Sequence, residues 1–414
     1  MMRIPIALIA FFGVVVPVPA ADWPEFRGPT AQGLYEGPAL PTAWDANTNI
    51  AWKKAIPGLG WSSPAVVGGR VYLTTATPGE PAVREQSLRA VCLDAGTGDV
   101  VWDKEVFHQG SSSPGIQGKN SHASASPLVA DGRVYVHFGH QGTACLDAAG
   151  GTVIWKKNDL TYTPVHGNGG SPVLVDGLLI FSCDGATDPF VAARDATTGD
   201  VKWRTPRSFD SAKRFAFSTP LAIEVGGAKQ VVSVGAGGVA AYDPRTGEEI
   251  WKVRHGGYSV VPRPVFAHGL VFVSTSYDAA KFLAILPDGK GDVTDSHVAW
   301  TLKEGAPHEP SPLVVGDELY LISDRGLASC LDAKTGKIHW QERVSGSYSS
   351  SPLFAGGNVY LVNEQGTTVV VKAAKEFEVV AKNALNEKVQ ASCAAADGAL
   401  FLRTAKHLYR IESK

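Results

Sequence analysis

Asp332-Ala333-Lys334-Thr335-Gly336-Lys337-Ile338-His339-Trp340 carries the spacing that decides the fold. An Asp followed eight residues later by Trp recurs at Asp94 and Trp102, Asp147 and Trp155, Asp195 and Trp203, and Asp243 and Trp251, and a Gly stands four residues ahead of each Trp. The Asp can close an Asx-type turn and the Gly can take the positive φ of a tight connection, so the Trp falls on the strand that follows. Counting along that strand places Val100 on one face with Trp102, Val153 with Trp155, Val201 with Trp203 and Ile338 with Trp340; Glu249 departs from this in the fourth copy.

A second signal precedes each copy. Ser63-Pro64, Ser126-Pro127, Ser171-Pro172, Thr219-Pro220, Arg263-Pro264, Ser311-Pro312 and Ser351-Pro352 each open an alternating strand followed by a Gly turn and a second apolar strand. Ser392-Cys393 is an eighth opening, with its turn at Asp397-Gly398. Successive openings lie 40 to 63 residues apart, a period that marks a propeller or solenoid. A four-stranded unit of this size cannot bury both faces alone and must stack on its neighbours, with large indoles filling the wedges between blades. Trp52, Trp102, Trp155, Trp203, Trp251, Trp300 and Trp340 are assigned that structural role, since a ligand in the axial channel could not reach them all. The last unit ends at Leu408-Tyr409-Arg410-Ile411 without a Trp strand, and Asn49 to Lys54, which contains Trp52, has the missing character. The prediction is an all-β, eight-bladed β-propeller over 49–414, closed by its N-terminal strand so that no sheet edge stays open.

Composition agrees with many short elements and tight turns: 45 Gly and 26 Pro, against only two Met, in 414 residues. Residues 1–20 read as a secretory signal, with Arg3 ahead of an apolar stretch and Val18-Pro19-Ala20 as a cleavage site, leaving 21–48 as an N-terminal extension. The expected location is therefore outside the cytoplasm, periplasmic or extracellular. No later segment is long and apolar enough to span a bilayer, and the formal charge of −2 without long charge runs gives nucleic acid no footprint. A lipid-bearing Cys would directly follow the signal, whereas the first cysteine is Cys92, so no lipid anchor is expected. Five cysteines without a close pair read as buried free thiols. A self-contained ring makes a monomer the default.

The Asp-Ala-x-Thr-Gly-x-x-x-Trp form at Asp195 to Trp203 and Asp332 to Trp340 resembles the tryptophan-docking motif of propellers in the pyrroloquinoline quinone (PQQ) dehydrogenase superfamily. The resemblance covers roughly 49–414; the superfamily's dehydrogenases and the outer-membrane assembly factor BamB both use eight such blades. Trp23-Pro24-Glu25-Phe26-Arg27-Gly28-Pro29, and Gly291-Asp292-Val293-Thr294 leading to Trp300, are similar to secreted PQQ-like propeller proteins of unassigned role. The superfamily's active enzymes carry an adjacent Cys-Cys pair, a calcium cage and a catalytic Asp. No adjacent cysteines occur here, so none of their catalytic residues is transferred.

Function in a propeller usually lies in the loops that lead into the inner strands. Here these loops hold Trp61, His122, His166, Asn168, Arg214, Phe217, Tyr258, Arg263, His308, Glu309 and Tyr348. Around a central funnel they could bind an anionic or planar ligand, with Arg214 and Arg263 pairing a carboxylate; the plainer reading is that they fill loops and channel. His122, His166 and His308 fall in different blades without metal-site spacing, so no metal site is assigned, and the serine runs at 111–113 and 349–351 lack a nucleophile context. The Ser- and Gly-rich insertion between Phe107 and His122 reads as a mobile surface loop, with a lid over the funnel as the alternative. The sequence thus points to a non-catalytic binding or scaffolding propeller that takes an envelope protein or a small ligand and no cofactor. The rival is a quinone-dependent oxidoreductase using PQQ with Ca²⁺ in a divergent funnel.

Overall fold

Each blade is built by the turn chemistry its sequence encodes. The computed structural model describes residues 22–78, 85–278 and 280–413, so the leader expected over 1–20 lies outside the described residues. Eight antiparallel sheets follow one another: 65–109, 128–157, 173–206, 221–254, 265–302, 313–343, 353–384, and an eighth formed by 394–412 with Ile50–Ala55. We call them blades 1 to 8. Among the described residues the helical structure is a single 3-10 turn, Gly139–Gln141. The closing strand Ile50–Ala55 runs antiparallel to His407–Glu412, with Trp52 opposite Arg410, as the repeat count requires.

Two sets of hydrogen bonds join the blades, one at the rim and one at the axis. At the rim, Trp52 Nε1 donates to the Ala95 carbonyl (3.0 Å), Trp102 to Ala148 (3.1 Å), Trp155 to Ala196 (3.0 Å), Trp203 to Pro244 (2.9 Å), Trp300 to Ala333 (3.1 Å) and Trp340 to Ala374 (3.0 Å). In five of these, the acceptor directly follows the Asp of the next blade's turn, and that Asp Oδ1 accepts amides from its own turn. The conserved offset of the Gly has a second cause besides its φ. A Cβ on Gly199 would lie 2.7 Å from the Trp155 ring, and one on Gly151 would lie 2.6 Å from Trp102. Trp251 is the exception: Gly291–Asp292 pairs parallel with its strand, and its indole turns to Gln230 Oε1 at 2.8 Å.

The shared face expected of Val100 and Trp102 does not occur. In every blade the ladder slips by one residue just before the indole position, so that Cys92 pairs with Trp102 but Leu93 with Val100. This β-bulge inserts an unpaired residue and breaks the two-residue alternation. Val100 is consequently 47% exposed while Trp102 is 6% exposed.

At the axis, the residue before each proline donates its amide to the hydroxyl of the corresponding residue in the next blade. The links are Ser63 to Ser126 (2.9 Å), Ser126 to Ser171 (2.9 Å), Ser171 to Thr219 (2.9 Å), Arg263 to Ser311 (3.0 Å), Ser311 to Ser351 (3.0 Å), Ser351 to Ser392 (2.8 Å) and Ser392 back to Ser63 (3.1 Å). The following residue is Pro in seven of the eight, which holds the donor in extended backbone. Position 263 has no hydroxyl, and the ring is broken only there.

Three residues further along the inner strands, about 10 Å deeper at strand rise, the N-terminal segment crosses the channel. Trp23 pairs with Val66 of blade 1, and the Pro24 carbonyl accepts from Val129 of blade 2. Gln32 Oε1 then accepts from Phe266 of blade 5, the Gly33 carbonyl from Phe354 of blade 7, and Leu34–Tyr35 runs parallel to Leu353–Ala355. All five cysteines are free and buried.

Gly177 and Gly199 share φ +77°, but a Cβ at Gly177 meets nothing within 4 Å. Gly177→Ala is expected to cost about 1–2 kcal/mol from backbone conformation alone. Gly199→Ala is expected to cost roughly 1–3 kcal/mol more by overpacking the Trp155 indole. Urea denaturation of the pair reads the difference; equal losses would refute the contact.

Candidate functional site

The axial hydroxyl ring forms the floor of a pocket. Its cavity of about 390 Å³ opens on the face where loops enter the inner strands, and Phe26 of the crossing segment reaches it from the other end. The wall follows a simple register. Trp61, Ser124, Gly169, Phe217, Val261, Glu309, Ser349 and Gln390 each stand two residues before an inner-strand opening, and all eight line the cavity. Extended backbone repeats its side-chain direction every second residue, so these positions face the axis together with the ring.

That register accounts for Trp61, Phe217 and Glu309 among the eleven sequence candidates. Trp61, His166, Phe217, Tyr258 and Glu309 line the pocket. Asn168, His308 and Tyr348 stand three residues before an opening and are not among the lining residues: Tyr348 is fully buried with its hydroxyl on the Ser345 carbonyl (3.0 Å), and the His308 ring packs on Tyr277 at 4.6 Å. His122 is half-buried outside the lining, and burial lowers its pKa. Arg214 is exposed. Arg263 turns away from the pocket: its guanidinium meets Glu25 Oε2 at 3.1 Å and the carbonyls of Phe26 (2.6 Å) and Pro220 (3.0 Å). A carboxylate clamp of Arg214 and Arg263 is therefore not assembled.

Deeper still, Arg27 is almost wholly buried and donates to the carbonyls of Gln32 (2.5 Å) and Pro312 (2.7 Å). Burial, together with the neighbouring Arg263 charge, lowers its pKa to about 9. Burial likewise raises Glu25, against the pull of Arg263.

The insertion after blade 1 covers the mouth. Gln117, Lys119 and Asn120 line the pocket, and Asn120 Nδ2 donates to the His166 carbonyl at 2.8 Å. Lys119 crosses to the far side of the ring, where its Nζ meets both oxygens of Glu309 (2.8 and 2.9 Å) and Glu364 Oε1 (2.8 Å). Burial works against the ammonium, but the two carboxylates outweigh it and raise its pKa. The surface-loop reading of this insertion thus gives way, for its 117–120 part, to the covering one.

Comparison with known proteins places the architecture. Residues 42–213, 84–293 and 235–376 match the family model described as outer membrane protein assembly factor BamB. The chain belongs to that family. An outer membrane protein assembly factor BamB of Shewanella oneidensis is 22% identical over 256 residues, covering 56% of this chain and 60% of the relative. Subunit 1 of the methanol dehydrogenase [cytochrome c] of Methylorubrum extorquens is 28% identical over 152 residues, covering 32% of this chain and 23% of the relative. The chain thus spans less than two thirds of either relative. The crystal structure of BamB from Moraxella catarrhalis superposes with a TM-score of 0.61 at 12% identity, covering 88% of this chain and 97% of that one, which shows the fold. The protein is a PQQ-like β-propeller of the BamB family.

A Ca²⁺-bound quinone asks for six to eight oxygen ligands, carboxylates prominent among them. Glu309 is the sole carboxylate among the described residues lining the pocket, and Lys119 holds it. Among the described residues no group of three or more His, Cys, Asp or Glu could hold a metal ion. The residues present do not fit that group.

Lys119→Met keeps the stem and removes the charge. Because the ion pairs are part-exposed, stability should change little, with melting shifted by about 2 °C or less. Amide hydrogen exchange across 117–121 is expected to speed up at least about threefold, whereas unchanged exchange would assign the hold to backbone contacts alone.

Proposed function

We propose that this BamB-family propeller is a non-catalytic binding or scaffolding protein of the cell envelope, working through the face that carries the pocket. The observation that carries the reading is the state of the funnel itself. Its one lining cation among the described residues is held by two carboxylates, its expected arginine clamp is not formed, and its channel is crossed by the chain's own N-terminal segment. Such a site can hold a partner or a ligand by shape, stacking and hydrogen bonds. Family membership supports an envelope location and a protein partner, since the family takes its description from an outer membrane assembly factor.

Crosslinking in intact cells followed by affinity recovery from envelope fractions tests this reading. A partner recovered by the wild type and reduced at least about fivefold by a Tyr258→Ala, Phe217→Ala double variant is expected, since aromatic anchors dominate such contacts. Failure to recover any partner, together with turnover of an alcohol or sugar, would sink it.

A second reading, a PQQ-dependent oxidoreductase with a divergent pocket, is favoured by the 28% identity to a methanol dehydrogenase subunit and by the aromatic pocket wall. Calorimetry with PQQ and Ca²⁺, alongside dye reduction, separates the two. No heat and no reduction at about micromolar cofactor is the outcome expected.

A further inference from the structure

The pocket floor presents hydroxyl protons that the fold does not use. Each of the seven ring hydroxyls accepts one backbone amide from the preceding blade. A Ser or Thr hydroxyl can also donate, yet none of the seven donates to an acceptor among the described residues, and all seven line the cavity. Two more polar atoms on the same wall are buried without a partner: the indole Nε1 of Trp61 and the amide Oε1 of Gln390. These two residues occupy the same register position in adjacent blades, and both line the cavity above the hydroxyl floor.

The opposite wall is made of aromatic rings. His166 and Phe215 lie 5.2 Å apart between centroids, Phe215 and Tyr258 5.6 Å, and Tyr258 and Tyr277 6.2 Å, forming one continuous arc. Charge is what the pocket withholds. Lys119 is the only full cation among the described lining residues, and Glu309 and Glu364 already hold it. An anion entering would give up water without a free counter-charge, and a cation would have to displace Lys119 from both carboxylates. The cavity of about 390 Å³ is far larger than a single ion and falls in the range of small-molecule sites.

Unused donors and acceptors on one side, aromatic rings on the other and no free charge describe the complement of a neutral molecule with oxygen on its edges and C–H bonds on its faces. We propose that the pocket binds a neutral saccharide or cyclic polyol. One C–H face packs against the Tyr258 and Tyr277 rings, ring oxygens accept from the axial hydroxyls, and, with a turn of each side chain toward the cavity, one ligand hydroxyl donates to Gln390 Oε1 while another oxygen accepts from Trp61 Nε1. The inference deepens the binding reading, and the two fail separately: an absent envelope partner leaves saccharide binding measurable, and absent saccharide binding leaves partner recovery untouched.

The test uses the full chain with methyl β-D-glucopyranoside, cellobiose and myo-inositol as neutral probes, and citrate, inorganic phosphate and spermidine as charged ones. Saturation-transfer NMR on the wild type and calorimetry to about 10 mM ligand read the binding. Saturable binding of at least one neutral probe is expected, with charged probes weaker at least about tenfold. Gln390→Leu and Tyr258→Ala, with folding verified by melting temperature, are each expected to weaken it about tenfold, the scale of one lost hydrogen bond or stacked face. The proposal is overturned if no neutral probe gives saturation transfer, if a charged probe binds more tightly, or if folded variants bind as the wild type does.

Discussion

Seven short hydrogen bonds around the axis set the geometry on which everything else rests. Each passes from the backbone amide of one blade to the side-chain hydroxyl of the next, so it fixes the separation of neighbouring inner strands and the tilt between them. Such a bond contributes only about 1 kcal/mol net, but a run of seven through consecutive blades, open only at blade 5, cannot be loosened at one link without strain at its neighbours. The Trp-to-carbonyl contacts do the corresponding job at the rim, where the wedge between blades is widest. Axis and rim together leave each blade little freedom to rotate against its neighbour.

The one interruption is as informative as the seven links. At blade 5 an arginine stands where the others have a hydroxyl, and its guanidinium reaches Glu25 and the Phe26 carbonyl instead. The break in the ring is thus where the crossing segment is fastened. The same segment brings Phe26 to the pocket, so the fault in the repeat, the plugging of the channel and the shape of the cavity have one origin. A floor of hydroxyls and a wall of rings then follow from positions that the repeat already dictates.

Much of this was legible in the sequence because it is periodic. The Asp-to-Trp spacing and the openings gave eight blades and the closing strand, since each unit repeats the same turn and the same apolar alternation. Periodicity also misled where the ladder slips: counting by twos put Val100 beside Trp102, and a bulge in every blade separates them. The pocket was half visible. Trp61, Phe217 and Glu309 were found by residue type, yet Gln390 and the hydroxyl ring share their register and were passed over, the latter being read only as strand openings. Tyr348 and His308 have suitable chemistry one residue out of phase. Lys119 and the crossing segment carried no such signal, because each occurs once and acts through partners distant in the chain.

The position of residues 23–55 also bears on how the chain reaches its native state. Trp23 to Tyr35 pairs with inner strands as late as Leu353–Ala355, and Ile50–Ala55 completes a sheet with His407–Glu412. This early stretch of the chain therefore finds its last partners only when the final blade exists. Contacts of such long sequence separation are slow to form because the entropy of closing the intervening loop must be lost first. Blades 1 to 7 can accumulate in order as an open arc, with Ile50–Ala55 unpaired and the crossing segment held only by the blades already present. Closure of the ring waits on the final strands, and until then the unfinished arc carries an open sheet edge able to pair with another molecule.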